Sequence, residues 1–411
     1  MNGGANRTGL LSLLILLFPL LSGCWDSVDI ENRATVLGLA IDEAEPGAEQ
    51  EEDKNISHLE GVSSEPKGEL IRLTAQVAVP GRIPLGPGTG GGEGGGEESE
   101  PVWVLSVVGH TLDDAFNNLQ QEVAEELFLG QLRVIVISEE VAQKGVNRFN
   151  DSLRRNPKVR RTAWMVVSKE KAGTYMNIAP QLEPVPTLYL SNMVENSVDL
   201  GKFPEDSIGL FWRRLSSKGQ DPFLPYLEIK AGENVQINGL AYFKGDQMIG
   251  TIDPIQIGIY MGLAGHREGG YGAFVPIPGT DTQILDQPYS RQTRIKTTIQ
   301  EGKPSVKVKL RYELVLDEKI EETIDLSDSH IIEKIEEKGS EEIADSAEEL
   351  IAKMQEEGSD IFGLGEYIRA KHPGYWNQEI ETKERWQEVY KDIEVDIECT
   401  YYIRRVGMKA K

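Results

Sequence analysis

The sequence predicts an α+β protein of three domains, with mixed sheets covered by helices. Three observations carry this. In the first half, apolar runs rich in branched residues alternate with segments of helical period, a β-then-α order that builds mixed sheets under helices. From about Leu224 the pattern shifts to short strands around a hairpin signal. In the last third, two long alternating strands bracket a run of helices. A chain of 411 residues accommodates two or three domains. The expected units are 24–200, a small middle unit at 201–288 and a final unit at 289–411.

In the first unit, Ala34–Asp42 (ATVLGLAID) reads as a strand, and the acidic, aperiodic stretch Glu43–Gly68 as a loop insertion. Leu70–Val79 and Val102–Val108 read as two strands joined by the glycine-rich tract Gly86–Glu100, a flexible linker by composition. Thr111–Leu127 carries Leu112, Ala115, Phe116, Leu119, Val123 and Leu127 at spacings of three and four, which predicts a helix capped by Thr111. Leu132–Ile137 is a buried-type strand, Glu139–Arg155 helical in two pieces, and Thr162–Ser168 a strand with a helix starting near Lys169. Thr187–Asn196 and Asp206–Ser216 read as helices.

Val235–Phe243 and Gln247–Gly250 flank Lys244-Gly245-Asp246, a hairpin. Pro254–Leu263 reads as a short helix and Gly265–Pro288 as a linker. Strands follow at Arg294–Gln300 and Val306–Leu316, then helices at Ser327–Lys338, Ser340–Glu356, Ile361–Lys371 and Tyr375–Lys391, and a final strand at Ile393–Arg404. Val306–Leu316 and Ile393–Arg404 each alternate, so each has one buried face. Their other faces carry Lys307, Lys309 and Arg311 against Glu394, Asp396 and Glu398, which predicts that the two strands are neighbours.

The N-terminus has the parts of a secretory leader at 1–23: Arg7, the apolar run Leu10–Phe18, then Leu21-Ser22-Gly23 before Cys24. The apolar run is too short for a spanning helix, which needs about 20 residues. Leu21-Ser22-Gly23-Cys24 resembles a bacterial lipobox, in which the cysteine takes a diacylglyceryl group and becomes the first mature residue. Two acyl chains hold a protein stably at a membrane. With Cys24 so used, Cys399 is left alone, and no disulfide framework or cysteine zinc site can form. The formal charge of −24 argues against nucleic acid and against a broad electrostatic grip on anionic lipid.

Catalytic patterns are not found. His58, His110, His266, His330 and His372 stand at no metal-ligand spacing, and there is no GxSxG, HExxH or P-loop. The Gly86–Gly96 tract opens no helix and carries Glu93, Glu97 and Glu98 beside it, which would repel a phosphate. Cys399, Trp376 and Trp386 read as core residues. No catalytic residue, metal ligand or cofactor is expected.

Five stretches together resemble the C subunits of the germinant receptors of endospore-forming bacteria, the Ger(x)C lipoprotein family. They are Cys24-Trp25-Asp26 with Ile30-Glu31, Val36-Leu37-Gly38 and Ile41-Asp42; His110-Thr111 to Asp114-Ala115; Val134–Ala142 with Gly145-Val146; Asn238–Lys244 with Met248-Ile249-Gly250; and Asp360–Gly365 with Pro373, Trp376 and Trp386. Where the family often carries Trp-Gly-His before its central strand, this chain has Phe128-Leu129-Gly130-Gln131. The resemblance implies three mixed α/β domains in an extended arrangement and a non-enzymatic subunit, acylated on Cys24 and held on the outer face of the inner spore membrane beside integral-membrane A and B subunits. The complex would sense small nutrients and start germination; whether this subunit touches the nutrient is left open. The alternative is a solute-binding lipoprotein of a transporter, which needs two similar α/β lobes around a cleft, and the C-terminal order of hairpin, helices and strand does not repeat the first unit.

Glycine-rich chain gains too little burial to offset its ordering entropy. Deleting residues Gly90–Gly96 is therefore expected to leave the melting temperature within a few degrees in calorimetry; a large drop would show that the tract packs.

Overall fold

A computed structural model describes residues 33–52, 54–57, 69–82, 100–180, 182–230, 234–267, 269–319, 326 and 328–406. The lipobox at 21–24 and nearly all of the glycine-rich tract lie outside them. The first sheet has nine strands: β1 (Arg33–Glu43), β2 (Ile71–Ala78), β3 (Val102–Gly109), β4 (Glu126–Phe128), β5 (Val134–Ser138), β6 (Trp164–Ser168), β7 (Phe223–Lys230), β8 (Asn234–Lys244) and β9 (Gln247–Ile252). Their order is β3-β2-β1-β5-β6-β7-β8-β9, with β4 against the start of β1. The second sheet has four strands: β10 (Phe274–Pro276), β11 (Gln283–Gln300), β12 (Lys303–Lys319) and β13 (Glu394–Val406), in that order. The α+β reading with mixed sheets stands. The hairpin β8–β9, however, forms no sheet of its own. β7 pairs parallel with β6 and antiparallel with β8, so hydrogen bonding crosses residue 200 without a break.

Both faces of the central strands are apolar, which is why they read as continuous runs rather than alternating ones. Ile135, Ile137, Met165 and Val167 meet the helices α1 (Leu112–Glu122), α2 (Glu139–Lys144) and α3 (Asn147–Arg155). Val134, Val136 and Val166 join the opposite cluster with α4 (Pro186–Asp199). α5 (Ile208–Ser216) packs on the first face through Phe211 and Trp212. α6 (Pro254–Leu263) lies in the second cluster, which runs on without interruption into the four-stranded sheet.

Several expectations need correction. The helix expected to reach Leu127 ends at Glu122, where Val123 turns extended. The Gln120 side chain bonds the Val123 and Glu125 carbonyls and the Leu127 amide, turning the chain into β4 beside Arg33–Thr35. The helix expected near Lys169 is a 3₁₀ turn, Ala172–Met176. The acidic insertion after Glu43 is not wholly aperiodic: it holds short helical turns at Ala48–Gln50 and Lys54–Ser57, and Arg72 binds Glu45 and Glu51 at 2.9 and 3.0 Å. The expected linker Gly265–Pro288 supplies β10 and the first residues of β11, with irregular register at Leu285/Asp286 and Pro288/Ser290 where the proline sits.

The helices expected at Ser327–Lys338 and Ser340–Glu356 are one, α7 (Ser329–Glu357). α8 (Leu364–Lys371) starts three residues later than Ile361, and the helix expected over Tyr375–Lys391 divides into a π-turn at Trp376–Ile380 and α9 (Lys383–Tyr390).

β12 and β13 are neighbours, as expected, and run parallel: Val306 lies opposite Val395, Val308 opposite Ile397 and Leu310 opposite Cys399. On the outer face Lys307 binds Asp396 at 2.6 Å and also Glu398, and Lys309 binds Glu398 at 2.5 Å. Arg311 departs from the expected row: it meets Glu313 and lies over the Tyr402 ring. Cys399 is half-buried against the core, and burial pushes its thiol up to about 12. The outer edge of β13 is closed by α7 itself, through Ser340 to the Tyr401 amide and Glu336 to the Ile403 amide.

Gly339, in mid-helix, marks the closest approach of α7 to β13. A Cβ there would lie 2.6 Å from the Tyr401 ring. Gly339→Ala should therefore destabilise by about 1–3 kcal/mol, although alanine favours the helix by about 1 kcal/mol. Urea unfolding checks this; a gain in stability would show that ring and helix move apart freely.

Candidate functional site

The polar centre with the most converging partners lies where the two sheets meet. Asp360 follows α7 and precedes α8. Its Oδ1 accepts the Gly363 and Leu364 amides at 2.8 and 3.1 Å, and its Oδ2 accepts the Gly365 amide at 2.8 Å and the Trp386 indole at 3.0 Å. The carboxylate thus caps the turn that opens α8 and fixes the tryptophan of α9. Asp221, in the loop before β7, faces it. The Asp221 amide donates to the Asp360 carbonyl at 2.8 Å, and the Asp360 amide donates back to Asp221 Oδ2 at 3.2 Å. Asp221 Oδ1 accepts from the Gly245 amide of the β8–β9 turn at 3.0 Å and from Gln387 at 2.8 Å.

Both carboxylates are buried, at 0% and 1% exposure. Burial pushes Asp360 up to about 7 against the pull of its backbone donors, and the neighbouring Asp221 adds to the rise. Lys383 stands 3.5 Å from Asp221, donates to the Arg214 and Leu215 carbonyls, and is lowered by burial. Around this centre, Glu366 accepts the Gly219 amide at 2.9 Å, and Ser359 donates to the Phe243 carbonyl at 2.7 Å. The packing is close enough to require glycine: a Cβ on Gly219 would lie 2.5 Å from Gly365, and one on Gly365 2.5 Å from the Trp386 ring. Trp376 and Trp386, read as core, are buried with centroids 5.6 Å apart.

Every oxygen of Asp360 is already taken by a donor. Among the described residues, no three His, Cys, Asp or Glu converge as metal ligands. Of the histidines, His110 lies 3.3 Å from Glu52, His266 tilts against Tyr260, His330 is exposed on α7, and His372 bonds Thr297; His58 lies outside the described residues. Leu21, Ser22, Gly23 and Cys24 also lie outside them. The sequence did not single out Asp221 or Asp360, because carboxylates are common throughout and these two stand 139 positions apart. The usable signal was an aspartate followed by Gly363 and Gly365, the pattern of a helix cap.

A second motif residue is explained the same way. Asp42, at the end of β1, accepts the Ala172 and Gly173 amides at 2.7 and 2.8 Å and so caps the 3₁₀ turn; burial raises its carboxyl.

The fold and this junction define a two-sheet α+β protein locked by structural polar contacts. Comparison with known proteins then gives its family. The profile described as "Spore germination protein N-terminal domain" matches residues 26–229, and "Spore germination B3/GerAC like, C-terminal" matches residues 238–407. The chain belongs to this spore germination protein family. Putative spore germination protein YfkR of Bacillus subtilis is 26% identical over 97% of both chains. Spore germination protein KC of the same organism is 24% identical over 98% of this chain and 97% of its own. The crystal structure of the GerBC protein shares the fold, with a TM-score of 0.53 at 17% identity, covering 83% of this chain and 96% of that one.

An acid whose folded value is raised stabilises the fold below its unfolded value, and that contribution is lost as pH rises through the folded one. For Asp360 the window runs from the ordinary carboxylate range to about 7. Urea midpoints across that range should fall with pH less steeply in Asp360→Asn than in the parent; parallel slopes would contradict this. Asp360→Ala, which strands several buried donors, should cost about 3 kcal/mol or more at any pH.

Proposed function

We propose that this chain is a lipid-anchored, non-enzymatic subunit of a nutrient germinant receptor. It is held on the outer face of the inner spore membrane by a diacylglyceryl group on Cys24 and docks to integral-membrane A and B subunits. The observation that carries the anchor is the tetrad Leu21-Ser22-Gly23-Cys24 at the end of an apolar leader. Among the described residues no helix is long and apolar enough to cross a membrane. Membership of the spore germination family supports the setting. A docking role agrees with a polar centre whose groups are all spent on holding two sheets together.

The transporter-type alternative needs paired lobes of similar topology. The two sheets here have nine and four strands in unlike orders, which does not supply them.

Mass spectrometry of the mature protein should find a diacylglyceryl-modified Cys24 as the first residue, and Cys24→Ala should move the protein from membrane to soluble fraction. An unmodified cysteine or a retained Met1 would refute the anchor. Affinity purification from detergent-solubilised spore membranes should recover integral-membrane germination subunits; recovery of the chain alone would refute docking.

A further inference from the structure

Away from the junction, a cavity of about 280 Å³ opens between α6, the four-stranded sheet and α7. At about 30 Å³ per water-sized group, it holds on the order of ten non-hydrogen atoms. Nothing in the germination assignment uses it. Its walls are of two kinds. Ile255, Ile259, Phe274 and Ile343 make an apolar sleeve, and Ile255 and Phe274 remain 53% and 56% exposed at its rim. Large apolar side chains left open beside a cavity are a feature of binding sites.

The polar lining is acidic. At the floor, Asp286 is 3% exposed; it accepts from the Tyr401 hydroxyl at 2.6 Å and the Ala273 amide at 2.9 Å. On the α7 wall, Glu342, Ser346 and Glu349 recur at helical spacing and so face the cavity together. Lys338 approaches Glu342 only at 3.9 Å. Among the described lining residues the one cation is Arg291, whose terminal guanidinium nitrogens donate to the Gly258 carbonyl at 3.0 Å and to the Gly201 and Gly269 carbonyls. An anion entering here would face three carboxylates. A cation would find acceptors on one wall and an apolar surface on the other.

We propose that this cavity binds a small primary amine with an apolar body. The ammonium lies against Glu342 and Glu349 of α7, and the body between Ile259, Phe274 and Ile343. The assignment rests on the cavity and its charges, not on the receptor reading. The two fail separately: one by acyl analysis and membrane partners, the other by a soluble binding measurement.

The test is titration of the full-length protein with phenethylamine, 2-phenylethanol and phenylacetate, followed by chemical-shift perturbation or calorimetry. The amine should bind about tenfold more tightly than the alcohol, the value of one charge-assisted hydrogen bond, and the carboxylate more weakly than both. Glu342→Gln with Glu349→Gln should reduce the amine to the affinity of the alcohol and leave the alcohol unchanged. Ser346→Trp should block both ligands without lowering the melting temperature. The proposal is overturned if the amine does not bind, if the carboxylate matches it, or if the paired glutamine variant binds the amine as the parent does.

Discussion

The buried reciprocal contact between Asp221 and Asp360 is the constraint on which the rest of the structure depends. Two backbone amides, the Asp360 carbonyl and the Asp221 carboxylate cross-connect the loop before β7 to the turn between α7 and α8. A carboxylate taken out of water is costly unless every lone pair finds a donor. Here the donors come from Gly363, Leu364, Gly365, Trp386, Gly245 and Gln387, drawn from both sheets' surroundings. The Asp360 carboxylate is satisfied by its own turn and α9, whereas Asp221 draws on both sides and is satisfied only when both parts of the chain are folded and in place. That makes the junction a device of specificity more than of raw stability: many relative placements would bury apolar surface, and this one also satisfies the two acids.

The apolar packing follows the same line. One cluster of side chains extends from Val134 and Val166 in the first sheet, through Tyr260 of α6, to Leu310 and Tyr401 in the second. Tyr260 stacks with Phe362, which sits beside Asp360 in the connecting turn. Long side chains then stitch the rim: Lys353 to the Thr251 carbonyl and Lys244 to the Glu357 carbonyl. The cavity between α6 and α7 lies within the same packed body.

The sequence made the period-driven elements legible. The alternation in Val306–Leu316 and Ile393–Arg404, with opposite charges outward, led to the right neighbours because burying the apolar face of each leaves complementary charge rows side by side on the other. The hairpin at Lys244-Gly245-Asp246 and the two-piece helix through Gly145 followed from local turn chemistry. What was not legible depends on distant partners. Nothing local says that Gln120 will catch the chain and end α1, or that Gly339 marks a close contact with Tyr401 and not a break in α7. Glycine and proline at 265–288 imitate a linker because local irregularities let a proline sit within β11. The Asp221–Asp360 pair is the extreme case, since its members are far apart in sequence and chemically common. The lipobox-like tetrad Leu21-Ser22-Gly23-Cys24 is a local signal, and lies outside the described residues.

The central claim is that the two sheets unfold as one cooperative unit because this junction needs both. Differential scanning calorimetry of the full chain tests it most directly. The account predicts a single transition whose calorimetric and van't Hoff enthalpies agree, and its separation into two in the doubly substituted Asp221→Ala, Asp360→Ala protein. Two independent transitions in the parent protein, or one undivided transition in the double variant, would contradict it.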